Sequence, residues 1–217
     1  IAARAALRSA RVTLEMGGKS PQVIFADADL DQAVNGVMAG IFAATGQSCM
    51  AGSRVLVEAP VFDAVCAMLA ERGERMIAGD PLDPASQLGP LASRAQLDKV
   101  LDYFAIAREE RLDCVTGGQR LDRQGYFVAP TVYRDVPLDS RIAREEIFGP
   151  VAALIRFTGE DEAVRIANGT PYGLAAGIWT EDLRRAHRLL HRIRAGTIWV
   201  NNYRIIGHSM PFGGYGQ

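Results

Sequence analysis

The chain has 217 residues, 48% of them apolar and 23% charged, with a formal net charge of −1. That is enough chain for one large domain with a substantial core, at an ordinary globular composition. The charge balance offers no footprint for nucleic acid or an acidic membrane surface, and no apolar run approaches the roughly 20 residues that cross a bilayer.

Taken in chain order, Ile1 to Ala10 is Ala- and Arg-rich and reads as helix, without the apolar core of a signal peptide. Arg11 to Glu15 and Gln22 to Phe25 read as short strands either side of the turn GGKSP. Asp29 to Ala44 places Leu30, Val34, Val37, Met38 and Ile41 at helical spacing, with Asp27 or Asp29 as its cap. The GQSCMAGS loop follows, then Arg54 to Glu58, a buried strand. Val61 to Ile77 is helix, Asp80 to Pro90 a Pro-punctuated loop, and Ala92 to Glu110 helix again. Gly117 to Gly125 is turn-rich and leads into the strand-like FVAPTVYRDV. Strands are expected at Val151 to Phe157, Leu174 to Trp179 and Thr197 to Val200, with helices at Glu160 to Asn168 and Glu181 to Arg194. This alternation implies an α/β fold, a mainly parallel twisted sheet with helices on both faces, in one domain.

Three cysteines, Cys49, Cys66 and Cys114, are too few and too scattered for a disulfide framework or a zinc site, and no metal is expected. Cys66 lies in a helical apolar pattern and Cys114 near a turn, which reads as inert. Cationic residues are lopsided: only Lys19 and Lys99 are lysine among 24 Lys and Arg. Base composition explains such a bias, yet a compact ammonium is not equivalent to a guanidinium.

Cys49 has two readings. A free cysteine is commonly a buried small hydrophobe. Against that, Gly46, Ser48 and Gly52 let backbone approach a ligand, and nearby N–H groups could stabilise a thiolate or an oxyanion. In VTLEMGGKSP, Glu15 at the carboxyl end of a strand beside two glycines suits a ligand crevice, while an exposed Glu in a turn is the plainer alternative. GGKS lacks the spaced first glycine of a phosphate-binding loop. EEIFGP sets Glu145, Glu146 and Phe148 before a strand, where a solvated acidic helix end would look the same.

Together these stretches resemble the NAD(P)-dependent aldehyde dehydrogenases. LEMGGKSP matches the family's glutamate motif and FAATGQSCMAGS its cysteine motif, 34 positions apart from Glu15 to Cys49. EEIFGPV, NGTPYGLAAGIWTEDL and PFGGYGQ then follow in the family's order, so the resemblance covers essentially the whole chain. It implies that Cys49 is the nucleophile, forming a thiohemiacetal with the aldehyde that passes hydride to the nicotinamide and becomes a thioester. Glu15 would be the general base that activates water for hydrolysis, and could also help deprotonate Cys49. Its presence implies a free carboxylic acid as product, because acyl-CoA-forming relatives typically lack it. Glu146 and Phe148 match the residues that hold the nicotinamide ribose of NAD or NADP. Gln96 and Lys99, in SRAQLDKVLDYF, resemble a helix segment that approaches the cofactor, a pattern an exposed amphipathic helix also explains. Tyr203 and Phe212 fall in a segment that lines the substrate entrance, with a structural Phe212 as the alternative. His187, His191 and His208 read as surface residues, leaving a thiol hydrolase without a partner for Cys49.

The chain opens inside a helix without an initiator Met and stops at PFGGYGQ, so the expectation is a fragment. Residues 1–217 would be the catalytic domain, with about 1–14 the end of a cofactor domain otherwise absent, as is the C-terminal oligomerisation strand. The fragment alone is expected to be inactive. The parent is expected to be a cytoplasmic homodimer or homotetramer acting on a small-molecule aldehyde. A non-catalytic relative of the same fold is the competing reading.

Overall fold

A computed structural model describes residues 1–216; Gln217, the last residue of PFGGYGQ, lies outside the described residues. Among the described residues seven strands form one sheet: β1 (Pro21–Ile24), β2 (Arg54–Glu58), β3 (Asp113–Thr116), β4 (Thr131–Arg134), β5 (Val151–Phe157), β6 (Ala175–Trp179) and β7 (Thr197–Val200). Their order is β3-β4-β5-β2-β1-β6-β7. Every pairing is parallel except β3 with β4, which is antiparallel.

Beyond α1 (Ala2–Ala6), which buries no residue, helices cover both faces: α2 (Leu30–Ile41), α3 (Phe62–Glu74), α4 (Arg94–Glu109), α5 (Arg141–Arg144), α6 (Gly159–Ala167) and α7 (Leu183–Leu190). Strand periodicity divides the core in two. Leu56 of β2 and Val151, Ala153, Ile155 and Phe157 of β5 face α4, α6 and α7; Val55, Val57, Ala152 and Leu154 face α2 and α3. Side chains cap several helix starts, Asp29 as expected and Ser93 and Asp182 in addition. Asp29 accepts from Gln32 N at 3.0 Å, Ser93 from Gln96 N at 3.1 Å, and Asp182 from the Arg184 and Arg185 amides. Asp27, the other candidate cap for α2, instead binds Thr180 and the Arg185 guanidinium.

Several boundaries differ from expectation. Arg11 to Glu15 is exposed and forms no strand among the described residues, because its alternating side chains have no neighbouring ladder to join. The first helix stops at Ala6 rather than Ala10. The third segment ends at Ile41 rather than Ala44, because Ala44 (φ 52°), Thr45 (φ 57°) and Gly46 (φ 70°) all turn left-handed and reverse the chain. Strand β3, a half-exposed edge, and the one-turn helix α5 carry too little pattern to be read from sequence.

Candidate active site

Three of the quoted motifs converge because of strand order. The segments entering β1, β2 and β5 carry GGKS, the cysteine loop and EEIFGP, and these strands are neighbours in the order β5-β2-β1. The site therefore lies at the amino ends of the parallel strands. This corrects the expectation that Glu15 ends a strand at a carboxyl-end crevice: β1 starts after it, at Pro21.

Gly17 and Gly18 are the meeting point. The Gly18 N–H donates to Glu146 Oε1 at 3.0 Å. A methyl on Gly17 would lie 2.9 Å from Glu146 Cδ, and one on Gly18 would press inside 3.0 Å on the Cys49 carbonyl oxygen. Only backbone without Cβ lets the Glu146 carboxylate and the cysteine loop approach the same dipeptide. On the other side, a Cβ on Gly46 would collide with the Gly149 carbonyl, so the left-handed turn packs the cysteine loop against EEIFGP. Thr45 Oγ1 fixes that turn by donating to Gly89 O at 3.1 Å.

Cys49 is half-buried and unpaired. Burial pushes its thiol up, and the charges of Glu15 and Glu146 push the same way, opposed by the Met50 amide. Glu15 is exposed yet close enough for its charge to act on Cys49. That charge disfavours the thiolate, so assistance from Glu15 to Cys49 requires taking the proton itself.

Phe148 is half-buried, with φ at 59°, a left-handed value costly for an aromatic. Gln96 over-determines it: its Nε2 donates to Ile147 O at 3.0 Å and to Phe148 O at 2.8 Å. Gln96 is thus committed to holding the EEIFGP loop. Lys99, one turn on, is half-buried. Glu145 accepts from Arg141 and from the Tyr103 hydroxyl, each at 2.9 Å, and the Arg141 guanidinium above all holds its carboxyl below the usual range.

Tyr203 is 6% exposed and packs behind the cysteine loop rather than at an open entrance. Its hydroxyl donates to Met50 O at 2.8 Å and its ring lies 4.7 Å from Trp199. Phe212 is half-buried, packed on the same apolar cluster as Cys49 and Met50, and lines a cleft of about 540 Å³ with Val12, Leu14 and Tyr215. Cys66 is buried in α3, Cys114 is exposed on β3, and the three histidines are exposed. Among the described residues no cluster of His, Cys, Asp or Glu could hold a metal, and no helix is long and apolar enough to cross a membrane.

From the sequence Arg54 had no role, and Lys19 had only its scarcity and its place in the glutamate motif. Arg54 is 2% exposed and donates to Lys19 O at 2.9 Å, Ile166 O at 2.9 Å and Ala167 O at 2.7 Å. It ties GGKS to the end of α6. Burial brings its guanidinium down to about 10.

The family model for the aldehyde dehydrogenase family matches residues 1–217. The chain belongs to the aldehyde dehydrogenase family. It is 47% identical over 220 residues to a betaine aldehyde dehydrogenase of Sinorhizobium fredii, covering 100% of this chain and 45% of that relative. A Cereibacter sphaeroides betaine aldehyde dehydrogenase is 49% identical over 203 residues, covering 94% of this chain and 42% of that relative. The NAD+ complex of a Bacillus cereus aldehyde dehydrogenase superimposes with a TM-score of 0.94 at 40% identity, covering 99% of this chain and 44% of that one. The chain thus spans less than half the length of these relatives.

Proposed function

We propose that residues 1–217 are the catalytic domain of a longer polypeptide that oxidises an aldehyde to a carboxylic acid with NAD or NADP. In this reading about residues 1–14 end a cofactor domain carried upstream, and the parent is a homodimer or homotetramer. The observation that carries it is the meeting of the cysteine loop and the Glu146 carboxylate on Gly17-Gly18. Family membership and the names of the relatives support the chemistry, and put betaine aldehyde first among substrates to test.

The residues fit a nicotinamide cofactor. Glu146 Oε1 is held by Gly18, and Oε2 has no hydrogen bond among the described residues, leaving an acceptor for ribose hydroxyls. Phe148, fixed by Gln96, supplies an apolar surface beside it. When bound, the cofactor accepts the hydride removed from the substrate. Cys49 Sγ adds to the aldehyde carbon as thiolate, a form that the Met50 and Cys49 amides favour. Glu15, exposed to solvent within electrostatic reach of Cys49, takes a proton from the water that releases the acid from the thioester.

The full-length parent decides it. Cys49→Ala is expected to abolish aldehyde-dependent NADH formation. Glu15→Gln should give a first-turnover burst followed by slow steady state, since only hydrolysis is impaired. Normal turnover by Cys49→Ala would sink the mechanism.

A further inference from the structure

Lys19 is 1% exposed, and its Nζ has no hydrogen-bond partner among the described residues. An ammonium stripped of water and left unpaired is costly, so its position calls for a reason beyond filling space. The location is specific. Lys19 directly follows Gly18, whose N–H holds Glu146, and its own carbonyl is pinned by Arg54. Of four buried side-chain atoms without partners among the described residues, three (Lys19 Nζ, Ser20 Oγ, Gln22 Nε2) fall between Lys19 and Gln22, directly after the Gly17-Gly18 meeting point. The charged groups that act on Lys19 come from three neighbouring segments, and Tyr172 and Arg194 line a small cavity beside it. Arg54 of β2 and Lys99 of α4 repel its charge, while Glu146 and Glu145, ahead of β5, attract it.

We propose that Lys19 is a positioning residue for Glu146: its buried ammonium balances this carboxylate from below as the cofactor ribose docks, so that cofactor binding takes up a proton at Lys19. The inference rests on Glu146 holding the ribose. Burial, the largest influence, and then Arg54 bring Lys19 down to about 7, so its proton is exchangeable near neutrality. The protonated form supports binding, and affinity falls as pH rises through that value. By linkage, each pKa unit by which bound cofactor raises Lys19 changes affinity about tenfold across the window.

The test is calorimetric binding of NAD and of NADP to the full-length parent from about pH 6 to about pH 9, a readout independent of turnover. The parent's dissociation constant is expected to rise about tenfold over this range. Lys19→Met should be flat at the weak, high-pH value, and Lys19→Arg flat at the tight, low-pH value. A merely structural lysine would leave the parent profile flat, or leave the parent's slope in Lys19→Met, and either result overturns the proposal. If Lys19→Met does not fold, the parent profile and Lys19→Arg still decide. Glu146→Gln separates the two layers. Unchanged binding there would remove the ribose reading and this inference with it, whereas weakened binding with the slope kept in Lys19→Met removes the Lys19 role alone.

Discussion

Gly18→Ala tests the geometry of the site most directly. Gly18 is not in the left-handed region, so an alanine there adds no backbone strain, and its cost is steric. The new methyl would lie inside 3.0 Å of the Cys49 carbonyl oxygen and 3.5 Å from the Cys49 carbonyl carbon, and it meets backbone rather than a side chain that could swing away. Relief requires the cysteine loop or the Gly18–Glu146 contact to give by on the order of 1 Å, a displacement that costs about 10²-fold when it misaligns reacting groups. Overpacking of this kind costs about 1–3 kcal/mol of stability, so the protein should still fold. Steady-state turnover of an aldehyde by the full-length parent, beside a thermal melt, separates the two effects. The expected result is a folded protein with kcat down about 100-fold. Gly207→Ala, whose Cβ would meet only Met210 at 3.6 Å, serves as the control. Parental kcat in a folded Gly18→Ala protein would refute the convergence of cysteine and carboxylate on this dipeptide.

Arg54→Met should destabilise by about 3 kcal/mol, roughly 1 kcal/mol for each of the three buried carbonyls left without a donor, seen as a lowered urea midpoint; an unchanged midpoint would contradict the tie between GGKS and α6. Because Glu15 pushes the Cys49 thiol up, Glu15→Gln should move the pH at which iodoacetamide labels Cys49 downward, and an upward move would place Glu15 elsewhere. Lys19 also predicts a stability profile. Its folded value of about 7 lies below the ordinary lysine value of 10.5, so the unfolded chain binds the extra proton between them. Stability should therefore rise with pH above about 7, and comparison with Lys19→Met by urea titration isolates the effect, whose absence would show that Lys19 is hydrated.

Much of this was legible where burial leaves a local pattern. Strands β2 and β5 fall where their apolar runs do, because both faces are covered. Asp29 caps α2 as expected, whereas Ser93 and Asp182, which fall inside the expected helices, turn out to be caps. The reversal at Ala44-Thr45-Gly46 was not legible, since two ordinary residues go left-handed only because the cysteine loop must return to Gly149. Arg11 to Glu15 shows the converse failure: alternation is a local property, whereas a strand needs a partner. In the site, Cys49, Glu15 and Glu146 stand out by residue type and spacing. The tasks of Gln96, Tyr203 and Arg54 are bonds to backbone carbonyls far along the chain, which no local pattern encodes.

Strand register is what joins these levels. Pro21 pairs with Arg54 and Arg54 with Ala153, so the residues just before β1, β2 and β5 are set side by side. A slip of one residue would move a strand about 3.3 Å and turn its side chains to the opposite face. The core forbids that on both sides, because Leu56 would exchange faces with Val55 and Val57. It would also carry Cys49 past Gly18 by several times the tolerance of a reacting pair. The apolar packing that fixes the sheet therefore also fixes the distance between Cys49 and the Glu146 carboxylate. Core substitutions in β1 or β2 that leave the protein folded but loosen its register should lower kcat before they lower cofactor affinity, because Glu146 is held to Gly18 by its own hydrogen bond while Cys49 is placed only through its loop, by packing and by the Tyr203 bond to Met50.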